Sequence, residues 1–142
     1  MTTTPDVESD VVAKLAAILP SVLSVSGAAR NLWAGPERPT LGVVPRRAVF
    51  VVRAGEFRTI YGGGQYRYLS VEIVIRSALD DYAGGELLAR QVYDAIHLVG
   101  RFTGASGQVY EDVRANDSPA YQGQADEDPH YWVLPVQLWA DT

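Results

Sequence analysis

The sequence has 142 residues, 47% of them hydrophobic and 20% charged, with no cysteine and a formal net charge of −5. Length and composition fit a single domain over residues 1–142 that buries its own core, and exclude a low-hydrophobicity disordered chain. The missing thiols rule out disulfides, thiolate metal sites and cysteine nucleophiles, and the acidity argues against a coat for nucleic acid.

The start, Met1 to Asp6, lacks the basic and apolar regions of a signal peptide, and no run approaches the roughly 18 apolar residues of a spanning helix. The expectation is a protein that works where it is made, without a membrane. Thr4 before Pro5, with Asp6 and Glu8 next, predicts a helix from about Pro5 to Leu19, capped by Thr4 and ended by Pro20. Val11, Leu15 and Ile18 supply its apolar spacing. From Ser21 to Pro45 the pattern has no clear period, and Gly35, Pro36, Pro39 and Gly42 read as loop or irregular strand.

Ala48 to Arg53 predicts a short strand buried on both faces, followed by a glycine-rich hairpin around Gly62, Gly63 and Gly64. Tyr66 to Ser77 is the clearest strand, with Leu69, Val71, Ile73 and Ile75 on one face. Asp80 and Asp81 are placed to cap a helix whose stripe is Leu88, Val92, Ala95, Ile96 and Val99, and Gly100 is placed to stop it. Gln108 to Arg114 and His130 to Ala140 predict two more strands, the last being an edge strand or bulged at Pro135, which cannot donate to a ladder. The order implies an α+β fold: a largely antiparallel four-stranded sheet with two helices packed on one face.

Charge is split along the chain. Residues 1–76 carry nine basic and six acidic side chains, whereas residues 77–142 carry three basic and eleven acidic. A dipolar surface accounts for this in a single domain; a head-to-tail contact between copies, joining two different patches, is the sharper alternative.

Catalytic constellations are weak. Gly62 to Gly64 is followed by neither a Lys-Ser/Thr pair nor a helix, so a phosphate loop gives way to a hairpin tip. Asp126, Glu127 and Asp128 before His130 match no metal-ligand spacing and read as a solvated acidic turn. His97 reads as an exposed surface histidine, and the adjacent carboxylates of Glu111 and Asp112 point to opposite faces of a strand. No catalytic residue, cofactor or metal is predicted, and no sequence-specific nucleic acid binding. Tyr61, Tyr66 and Tyr68 with Arg58 and Arg67 instead make a hairpin suited to protein surfaces, where Tyr and Arg are enriched.

From Tyr66 onward an ordered set of features resembles the phage tail-terminator or tail-completion (minor capsid) family. The set is the strand ending at Arg76, Asp80-Asp81-Tyr82 opening a helix with Leu87-Leu88-Ala89, then Ser118 to Gly123 leading through Asp126-Glu127 into the strand around Tyr131 and Trp132. The resemblance implies a structural virion protein at the head–tail junction, assembled in the host cytoplasm. It would form a homo-oligomeric ring, typically a hexamer, that caps the tail tube protein, stops its polymerisation and docks to the head–tail connector protein. A head-side connector or stopper, or a tail-tube-related ring, are the neighbouring alternatives; a small ligand-binding or hydrolytic enzyme using the glycine loop and His130 is the distant one. For a ring, the expected subunit contact pairs Arg58, Arg67 and Arg76 with Asp126, Glu127 and Asp128, and the hairpin from Tyr61 to Tyr68 docks partners.

Overall fold

The computed structural model describes residues 6–35, 45–61, 64–115, 117–123 and 129–141, with residues 55–61, 64–67 and 141 described at backbone level only. Among the described residues two helices, α1 (Val7–Ile18) and α2 (Tyr82–His97), accompany seven strands. These are β1 (Leu32–Ala34), β2 (Arg47–Tyr61), β3 (Gly64–Ser77), β4 (Phe102–Thr103), β5 (Val109–Ala115), β6 (Ala120–Gly123) and β7 (His130–Asp141).

The strands form one sheet in the order β1-β2-β3-β7-β5-β4, with β6 also paired to β7. The four predicted strands are its long members, β2, β3, β5 and β7, although β2 runs fifteen residues where the sequence predicts a short strand buried on both faces, and Phe50 and Val52 are only half-buried. The sheet is also larger and mixed, β1 running parallel to β2 while the remaining pairs are antiparallel. The three strands absent from the prediction are two to four residues long, too short for alternation to register.

Leu69, Val71, Ile73 and Ile75 of β3 and Trp132, Leu134, Val136 and Leu138 of β7 are buried on one face, where the apolar stripes of both helices join them in one core. The α2 stripe is Leu88, Ala89, Val92, Ala95 and Ile96, and Gly85 lets the helix approach the sheet, since a Cβ there would stand 2.5 Å from Ser77 Oγ and from the Trp132 ring. Gly100 ends the segment in the left-handed region at φ 62°. Two caps differ from expectation. Helix α1 begins at Val7 with Asp6 as its N-cap, accepting from the Ser9 N–H at 3.3 Å, while Thr4 and Pro5 lie outside the described residues. Asp81 holds the N-cap position of α2 but makes no side-chain cap bond, because Arg47 takes its carboxylate.

Strand β7 is not an edge. It lies between β3 and the pair β5 and β6, which share its other side end to end. Strand β6 pairs with Tyr131 to Val133 and β5 with Val136 to Ala140, so Leu134 and Pro135 fall in the break between the two ladders. A residue without an N–H costs no hydrogen bond at such a break.

One buried carboxylate fastens α1 to the rest. Asp10, 1% exposed, accepts from the Ser106 N–H at 2.9 Å, the Ser106 hydroxyl at 2.6 Å and the Tyr110 hydroxyl at 2.6 Å. Burial, then the bond to Asp10, pushes the Tyr110 phenol well above its ordinary range. Gly104 completes the arrangement, since a Cβ there would meet the Asp10 carboxylate.

Candidate assembly surfaces

Strands β2 and β3 form a long hairpin in which Arg58 and Arg67 occupy directly opposite register positions, as do Tyr61 and Gly64, and Thr59 and Tyr66. Gly62 and Gly63 lie outside the described residues, as do Asp126, Glu127 and Asp128. Tyr68 packs on Trp139 of β7, with ring centroids 3.9 Å apart. Arg76 does not join Arg58 and Arg67: nine residues of β3 separate it from Arg67, about 30 Å at the usual rise. Its guanidinium donates to the Pro45 carbonyl at 2.9 Å. The predicted basic set is therefore divided between the two ends of the sheet.

Several cations are engaged within the subunit. Arg46 meets Asp80 at 2.7 Å, Arg47 grips Asp81 through Nε at 2.6 Å and a second nitrogen at 3.2 Å, and Arg53 meets Glu8 at 2.8 Å. The bonded Arg47 guanidinium holds the Asp81 carboxyl below the usual carboxylate range. Two of these pairs join the basic half of the sequence to the acidic half, so the split in charge is partly neutralised inside one molecule.

At the sheet end opposite the hairpin, Tyr82, Tyr121, His130 and Trp132 form an aromatic cluster. Tyr82 lies 5.2 Å from Tyr121 and 5.4 Å from both His130 and Trp132, measured between ring centroids. Tyr82, Tyr121 and the neighbouring Leu79 are exposed, whereas His130 and Trp132 are buried. His130 Nε2 is 3.0 Å from the Leu79 carbonyl, which only accepts, so Nε2 donates to it, and Nδ1 pairs with the Tyr121 hydroxyl at 2.7 Å. Both nitrogens are thus occupied. His130 pairs with Ser77, thirteen residues along β3 from Gly64, so about 44 Å separates it from the glycine hairpin and the two cannot form one site. His97 is exposed at the end of α2 and stacks on Tyr93.

The profile of the family described as "Bacteriophage tail terminator protein" matches residues 36–141, three quarters of the chain. The chain belongs to that family. Nine solved chains match in structure, among them one from the "Virion of native gene transfer agent (GTA) particle". That match has a TM-score of 0.56 at 14% identity, over 92% of this chain and 86% of the other, and shows the shared fold. No curated protein matches.

Tail terminators are a structural family, and membership supports a structural, tail-associated role. The family match begins after α1 and β1, yet both complete the core through Val7, Val11, Leu15 and Leu32. Sequence reasoning missed the Asp10 network, whose partners lie 96 and 100 residues away. It also missed the aromatic cluster, for which Tyr82 and Tyr121 supplied the residue types but no spacing.

Proposed function

We propose that this chain, acting as one unit, assembles into a closed homo-oligomeric ring, most simply a hexamer, that caps the tail tube and joins the tail to the head connector at the virion's head–tail junction. Membership of the tail terminator family over residues 36–141 carries the reading. The physical means is a heterologous contact, in which one patch of each subunit meets a different patch of the next until rotation closes the ring.

The arrangement supports two distinct ends for such a ring: the β2–β3 hairpin at one, and the exposed Leu79, Tyr82 and Tyr121 at the other. The hairpin residues Tyr61, Gly62, Gly63, Gly64, Tyr66 and Tyr68 are the proposed docking element. For the subunit contact Arg58 and Arg67, which stand opposite each other in the hairpin ladder, are proposed as one patch, with Arg76 set apart at the other end of the sheet, where it donates to the Pro45 carbonyl. Their proposed partners in the neighbouring copy are Asp126, Glu127 and Asp128.

Light-scattering mass at several concentrations, with electron microscopy of the same samples, tests the ring. Closed particles of fixed subunit number support it; filaments would assign the chain to a tube-like role, and a monomer at every concentration, including on added tail tubes, would remove the ring. Reversing charge at Arg58 and Arg67 alone, and at the acidic triplet alone, should each weaken the oligomer, and reversing both should restore it; an unchanged oligomer in either single-cluster variant would sink the pairing.

A further inference from the structure

The two strands on the outer side of β7 are held very differently. Strand β5 buries Tyr110 and Val113 in the core and is tied to α1 through Asp10. Strand β6 buries nothing fully: Ala120, Tyr121 and Gln122 are exposed and Gly123 is intermediate. Its ladder to β7 has three register pairs, Ala120 with Val133, Tyr121 with Trp132 and Gly123 with Tyr131, interrupted by an irregularity before Gly123 at φ 83°.

Among the described residues, one side chain fastens β6 to the body. The Tyr121 ring lies 5.2 Å from Tyr82, 5.2 Å from Trp132 and 5.8 Å from His130, and its hydroxyl meets His130 Nδ1 at 2.7 Å. The hydrogen bond of Gln122 stays within the strand, to the Ala120 carbonyl. A segment with few buried apolar contacts opens at low free energy, independently of global unfolding. The break in the ladder at Leu134 and Pro135 keeps such an opening from spreading to β5.

We propose that β6 is a strap that opens as a unit, latched by Tyr121, and that it guards the β7 edge from Tyr131 to Val133 together with Trp132. Closed, the strap pairs backbone groups that would otherwise form an open sheet edge, the kind of surface that joins other chains by strand pairing. Open, it uncovers three β7 residues and a buried indole. This is a property of the subunit and does not depend on the ring.

Amide-resolved hydrogen exchange of the full chain tests it. Amides of 120–123, and those of 131–133 that face β6, should exchange at least tenfold faster than amides of β5 in the unaltered protein. Tyr121→Ala should accelerate them at least tenfold further while leaving 136–140 and the thermal transition nearly unchanged, and Tyr121→Phe, which keeps the ring and loses only the hydroxyl, should fall between. The chain has no cysteine, so Ala120→Cys with Val133→Cys gives one engineered bridge, and its oxidation should suppress the opening. Exchange of β6 and β5 at one common rate, or equal acceleration of both strands in Tyr121→Ala, would overturn the strap.

Discussion

Replacing Asp10 with Ala removes the acceptor of three donors at once, and its cost follows from what each donor does afterwards. The Tyr110 hydroxyl is fully buried and is left without a partner, which costs about 1–3 kcal/mol. Ser106 is exposed, so its N–H and hydroxyl turn to water and forfeit only the surplus of a charge-assisted bond, together about 1 kcal/mol. These sum to a loss of about 2–4 kcal/mol, an upper figure because removing a buried charge returns part of it. For a chain of this length that is a fall in Tm of about 6–12 °C. Asp10→Asn should cost about 1 kcal/mol, because the Tyr110 hydroxyl can rotate to accept from the new amide. Urea unfolding with a shared m-value measures all three proteins. An Asp10→Ala midpoint within error of the unaltered protein, or an Asn variant as damaged as the Ala variant, would refute the reasoning that the carboxylate satisfies Tyr110.

Gly85→Ala forces a methyl into the space held by Ser77 Oγ and the Trp132 ring, and should destabilise by about 1–3 kcal/mol with a change in near-ultraviolet circular dichroism as α2 lifts from the sheet. Asp81, its carboxyl lowered by Arg47, contributes stability that is full above the unfolded carboxylate value of about 3.9 and is lost as pH falls through the lower folded value. The loss in urea midpoint on acidification should therefore be smaller in Arg47→Ala than in the unaltered protein, and an equal loss in both would show that the pair contributes nothing.

The long elements were legible because their burial is periodic. Leu69 to Ile75 alternates strictly, and Leu88 to Ile96 recurs at helical spacing, so each announces its buried face locally. Strand β6 does not, since Ala120-Tyr121-Gln122-Gly123 has no apolar alternation and owes its pairing to β7. Strand β1 is defined by a parallel partner, and β4 by two residues opposite Tyr110 and Val109. Asp81 read as a cap because capping is a local rule, and Arg47, 34 residues earlier, overrode it. Asp10 drew no reading at all, because its partners are a loop and a strand distant in sequence. Counting charge by halves could not show that Arg46 with Asp80 and Arg47 with Asp81 pair across the dividing line. The surface residues proposed for assembly were legible only as types, and the fold dispersed some of them, Arg76 above all.

The central place of β7 sets an order of events. It is the last strand in sequence, yet it inserts between β3 and the β5–β6 side and joins the two halves of the sheet. The β2–β3 hairpin is local in sequence, whereas the link of α1 to β5 through Asp10 and Tyr110 spans 100 residues, and local contacts are the quicker to form. Until β7 arrives, the inner edge of β3 stands open along Tyr66 to Ser77, the stretch richest in alternating apolar residues. A chain in which β7 has not docked offers that edge to strand pairing with other chains.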